Sequence, residues 1–169
     1  MSYPQAADNS SLQFENDQLR IRFMPRTPDQ MAGFFEARGF PKNMREQLAG
    51  YCFFTVTIKN KSQDIVWLDL THWRFVTATG EVKRVQRQFW PPLWQQLGIP
   101  MASQSTFRWT LLPETLDFQP AEQEGGNVVL ENTLQEFALQ AEFAVGEKRD
   151  QNVIKANIDQ LRCARDIKP

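Results

Sequence analysis

The chain has 169 residues, with 19 basic and 20 acidic side chains and 12% aromatic residues, among them 13 Phe and 5 Trp. That length suits one domain with its own core, and a net charge of −1 leaves no bulk field to gather nucleic acid or an anionic membrane. No apolar run approaches the ~20 residues of a membrane-spanning helix, so a soluble chain with an aromatic-rich β core is expected.

Residues 1–11 are polar and read as a flexible leader, with one β-sandwich domain over 12–169. The leader carries neither the basic nor the apolar part of an export signal. A signal or lipid-anchored segment removed ahead of it would fit that composition. Leu12 to Glu15 and Leu19 to Met24 then alternate around Asn16-Asp17 and predict the first two strands. Thr27-Pro-Asp-Gln30 has the form of a capping box with proline at the first helical position. Met31, Phe34, Phe35 and Arg38 follow at helical spacing, which predicts a helix from about Pro28 to Arg38. Pro41 opens a second short helix, with Met44 and Leu48 one turn apart and Gly50 at its end.

Tyr51 to Asn60 is the longest run of clean alternation. Cys52, Phe54, Val56 and Ile58 share one apolar face and Tyr51, Phe53, Thr55, Thr57 and Lys59 share a mixed one, which marks a central strand. Asn60-Lys-Ser-Gln-Asp64 is turn chemistry leading to a strand over Ile65 to Leu70, read as a hairpin. A second hairpin is read from Trp73–Ala78, Thr79-Gly80 and Val82–Gln86, with Lys83, Arg84 and Arg87 on a solvated basic face. Phe89 to Gly98 contains Pro91-Pro92, which excludes a central strand and predicts a loop with a helical turn.

Ser105 to Leu112 alternates with Phe107, Trp109 and Leu111 inward, and is expected to be a core strand ended by Pro113. Glu114 to Gly126 is polar and reads as a long connection, followed by a brief strand over Asn127–Glu131. Phe137 to Val145 and Val153 to Cys163 form a final hairpin. Within it the apolar set Ile154, Ala156, Ile158 changes parity to Leu161 and Cys163, which requires a bulge near Asp159. Eight to ten short strands with no internal repeat predict an all-β fold: an immunoglobulin-like antiparallel β-sandwich with a short helical insertion before the central strand. The likeness is one of architecture, since the Cys52 to Cys163 span is too wide for the antibody pattern.

Cys52 and Cys163, the two cysteines of the chain, are expected to form a disulfide tying the last strand to the central one. That pairing is the reason to expect a periplasmic or cell-envelope location. His72, the one histidine, rules out His-pair metal sites and serves best as a strand-end residue. A Ser-His-Asp grouping from Asp69, His72 and Ser103 or Ser105 lacks the nucleophile elbow of a hydrolase. A small-molecule or metal carrier, with copper(I) held by Met24, Met101 and His72, is the alternative to a binding role, against the usual use of methionine to fill cores. Neither metal nor cofactor is assigned. The aromatics where the chain leaves the sheet, Phe34, Phe35, Phe89, Trp90 and Trp94, are expected to bind a protein or envelope partner, because aromatics beside proline and arginine make binding hot spots. The expectation is a non-catalytic binding module.

Overall fold

The computed structural model describes residues 12–166; the leader expected over residues 1–11 lies outside them. Nine strands and four helices are present among the described residues, the strands forming two antiparallel sheets. The first sheet has the order β1 (Leu12–Glu15), β2 (Leu19–Arg26), β3 (Tyr51–Asn60), β7 (Gln123–Glu131). In the second, β8 (Phe137–Val145) is central. β9 (Val153–Leu161) lies on one side of it, and β4 (Val66–Asp69) and β5 (Trp73–Val76) lie end to end on the other. β6 (Thr115–Phe118) pairs outside β4.

The alternation of β3 decides the layering. Cys52, Phe54, Val56 and Ile58 point at the second sheet and join Leu19, Ile21 and Phe23 from β2, Leu68 from β4, Phe75 from β5 and Leu139, Ala141 and Phe143 from β8 in one buried core. Phe53, on the opposite face, is also buried, together with Val129 of β7, beneath a layer of helices. The central strand is therefore covered on both sides. Those helices are α1 (Pro28–Glu36), α2 (Lys42–Leu48), α3 (Trp90–Gln96) and α4 (Met101–Thr110).

The two early helices form as their sequence predicts. Gln30 N–H donates to Thr27 Oγ1 at 3.1 Å and Thr27 N–H to Gln30 Oε1 at 2.9 Å, closing the capping box. Gly39, at φ +73°, turns the chain out of α1 in a conformation that other residues avoid. Cys52 and Cys163 form the expected disulfide, with Cα atoms 5.5 Å apart. The parity change in β9 is a bulge: the register with β8 shifts between Phe137 and Leu139, and Gln160 takes φ +59°.

Four expectations are corrected. Ser105 to Leu112 is not a core strand but the greater part of α4 and its exit; Phe107 and Leu111, four residues apart, are buried, while Trp109 is 87% exposed. Helical spacing and strand alternation coincide for Phe107 and Leu111, and only the outward Trp109 separates the two. Secondly, β3 and β4 are not a hairpin, since they lie in different sheets. Asn60 governs that crossing: it is fully buried, its amide donates to Asp64 O at 2.7 Å and Phe118 O at 3.0 Å, and its Oδ1 accepts from Ser62 N–H at 2.9 Å.

Thirdly, Val82 to Gln86 is not a hairpin arm. One bridge, Val76 to Glu81, closes the turn, after which the chain crosses to the free edge of β7, where Val85 N–H donates to Val129 O at 2.8 Å. The fourth correction concerns Glu114 to Gly126, which holds β6 and the start of β7. Leu116 and Phe118 are the inward residues of that short strand. Gly126 permits the closest packing in this region, because a Cβ there would stand 2.5 Å from Leu112 N; the exit of α4 is thereby pressed onto β7.

Candidate functional site

The helical layer contains a cleft of about 200 Å³ between α3 and α4, lined by Arg87, Trp90, Trp94, Met101, Ser105 and Arg108 among others. Its floor follows from local sequence. Pro91 and Pro92 occupy the first turn of α3, where their missing N–H groups cost nothing, so Trp-Pro-Pro-Leu-Trp forms a helix with Trp90 and Trp94 on one face. The two indoles stack at 5.2 Å, and Phe107 of α4 meets them edge-on at 4.9 Å and 5.4 Å. Tyr51 of β3 packs edge-on against Trp90 at 5.1 Å, fastening the cluster to the first sheet.

The wall is set by charge. Arg84 makes a two-pronged ion pair with Glu114 at 2.8 Å and 2.7 Å, and Glu114 Oε1 also accepts from Arg87 N–H at 2.8 Å. The Arg87 guanidinium turns the other way and donates to the carbonyls of Arg108 at 3.1 Å and Leu111 at 3.3 Å, closing the C-terminal end of α4. Burial lowers the Arg87 pKa and the charge of Arg108 lowers it further, while Glu114 opposes them. Burial pushes the Glu114 carboxyl up, but the hydrogen bonds from Arg84 and from Arg87 N–H and the two guanidinium charges outweigh it and hold the group below its ordinary value.

Among the described residues, four buried side-chain N–H donors have no partner, and three of them, Arg87 Nε, Trp90 Nε1 and Trp94 Nε1, belong to residues that line this cleft. A donor so placed costs about 1–3 kcal/mol. Two large apolar side chains stand exposed on the same helix: Met101 at 66% and Trp109 at 87%. Trp109 follows Ser105 of the cleft lining by one turn. The cleft offers apolar surface and the Arg87 and Arg108 side chains, while the three unpartnered donors are themselves buried.

The sequence-predicted partner residues are divided by the structure. Phe35, Trp90 and Trp94 are buried and act as packing residues. Phe89 is half-exposed beside Trp90, and Phe34 is partly covered by the Arg38 guanidinium, 3.4 Å from its ring centroid. Arg84 and Arg87, expected on a solvated face, are drawn inward by Glu114; the Arg84 side chain is 10% exposed. Arg108 and Glu114 were not predicted at all, and a helical reading of Ile99-Pro-Met101 onward, with Phe107 and Leu111 as its buried face, would have found the first.

His72 is exposed, with Nε2 4.0 Å from Asp69 Oδ2, while Asp69 Oδ1 accepts from Thr71. Ser103 and Ser105 lie on α4, Met24 on β2 and Met101 at the start of α4, so the residues weighed for hydrolysis or copper sit on separate elements. Among the described residues, no three His, Cys, Asp or Glu side chains are grouped so as to hold a metal ion, and no helix is long and apolar enough to cross a membrane.

No family model matches the chain, and no curated protein matches it. Among solved structures it is similar to a Bacillus subtilis protein, ycdA, provisionally named a lipoprotein, with 10% identity and a TM-score of 0.47. The match covers 89% of this chain and 39% of that one, so the chain spans about two fifths of the length of the neighbour.

Proposed function

We propose that this chain is a non-catalytic, immunoglobulin-like β-sandwich module of the cell envelope that binds a partner protein through the α3–α4 side of its helical layer. The observation that carries the reading is the aromatic cleft, lined by Arg87, Arg108 and exposed Met101, with exposed Trp109 on the same helix. Well-packed aromatics with arginine beside them and exposed apolar residues around them are the composition of a binding hot spot. The disulfide supports an oxidising compartment, where such a bond persists. The inter-sheet position of that bond, and strands that change sheets between neighbours in sequence, support the immunoglobulin-like comparison.

The test is capture from a native envelope extract by the wild type and by the Met101→Ser, Trp109→Ser double variant. Both side chains are exposed, so the thermal midpoint should hardly move. The expected result is a discrete partner retained by the wild type and lost by the variant. Identical captured sets would reject this surface as the docking site.

A further inference from the structure

Three properties of the α3–α4 cleft restrict what it can hold. Its volume of about 200 Å³ is below the ~300–1,000 Å³ of ordinary small-molecule sites, and matches one side chain. Its lining is mainly aromatic and aliphatic, with Gln95, Gln104 and Ser105 as the uncharged polar side chains. Its charge is one-sided: Arg87 and Arg108 line it and no acidic residue does, while the carboxylate of Glu114 is taken up by the Arg84 side chain and Arg87 N–H. Arg108 is exposed, with no carboxylate partner among the described residues. An occupant with a cationic group would be repelled, and a purely apolar one would leave the charge of Arg108 unanswered.

From this complementarity we infer that the cleft receives an extended segment of a partner protein that places one apolar side chain against Trp90 and Trp94 and an adjacent Asp or Glu carboxylate on Arg87 and Arg108. The inference rests on the docking reading above and adds the chemistry of the ligand. Exposed Met101 lines the cleft, and exposed Trp109 on the same helix supplies further apolar surface for the flanks of such a segment. A polyphosphate or nucleic acid fits less well, because two arginines beside an apolar floor make no continuous cationic track and the whole chain carries −1.

The experiment is a selection of displayed random dodecapeptides on the full, disulfide-bonded chain. Enriched peptides are then measured by fluorescence polarisation against the wild type, Arg108→Ala and Ser105→Trp, the last a substitution at an exposed position that fills the cleft. Enriched sequences should share an apolar residue next to Asp or Glu. Binding should fall roughly tenfold or more in Arg108→Ala, and equally when the peptide acid is changed to its amide; Ser105→Trp should abolish it with the thermal midpoint retained. Peptides without acidic enrichment that Ser105→Trp still blocks would overturn the carboxylate inference and leave the docking reading standing. No enrichment, or peptides indifferent to Ser105→Trp, would overturn both. A concentration-dependent dimer in sedimentation that Ser105→Trp dissolves would make the occupant a second copy of the chain and reject a separate partner.

Discussion

The two faces of β3 bury comparable aromatic surface by different means. On the inner face, strands of two sheets interleave residues of fixed parity and a disulfide joins them, and the one buried side-chain donor left without a partner there is Trp73 Nε1. On the outer face, four short helices cover Phe53 and Val129 with Phe35, Phe107, Trp90 and Trp94, and three unpartnered donors remain. The inner core is closed covalently and leaves fewer buried donors without a partner. The outer one keeps three such donors and has an open cleft beside them.

The sharpest way to break this comparison is Trp94→Ala. Removing a buried tryptophan should cost ~3–5 kcal/mol, and amide exchange should place the loss in α3 and α4 while β3 and β8 stay protected. Uniform loss of protection would mean that the two faces unfold as one unit. Next in size is Cys52→Ala with Cys163→Ala, which opens a link spanning 111 residues and should cost ~2–4 kcal/mol, chiefly through a freer unfolded chain. Urea melts separate the two variants: the slope should rise for the cysteine pair, whose unfolded state exposes more surface, and remain near the wild-type value for Trp94→Ala.

The smallest effect, and the one that sharpens the comparison most, concerns the charge behind the cleft. Glu114→Gln should cost ~1–3 kcal/mol, because Arg84 loses its ionic partner in a mostly covered position. The folded pKa of Glu114 lies below its unfolded value of 4.5, so its contribution is fully present above that pH and lost as pH falls through the folded pKa. Denaturation midpoints of wild type and variant should therefore converge in acid below pH 4.5, against a constant gap at neutral pH. A gap that persists in acid would show that Glu114 acts by shape alone.

Much of the inner face was legible in the sequence because each signal there is local or nearly so. The β3 alternation and the parity break in β9 can each be read from a few neighbouring residues, the cysteine pair follows from there being two in the chain, and the capping box made α1 of the outer face legible in the same local way. Which strands pair could not be read in the same way. Turn chemistry at Asn60–Asp64 serves a hairpin and a sheet crossing equally, and only the carbonyl of Phe118, 58 residues away, shows which one Asn60 makes. The outer face hid its organisation for two reasons. A helix covered on one side can alternate like a strand over five residues, as Phe107, Trp109 and Leu111 do. Arg84 and Glu114 stand 30 positions apart, with no periodicity to connect them.

The bulge at Gln160 has a consequence for how the molecule is fastened. Side chains on a strand alternate strictly, so Ile154, Ala156 and Ile158, pointing inward, would send position 163 outward. The extra residue acts as a frame shift in the three-dimensional reading of the chain: beyond it, odd positions face the core, and Cys163 comes within bonding reach of Cys52. Covalent closure of this fold is thus a matter of counting. One residue more or fewer between Ile158 and Leu161 would leave both cysteines in the sequence and put them on opposite sides of a strand.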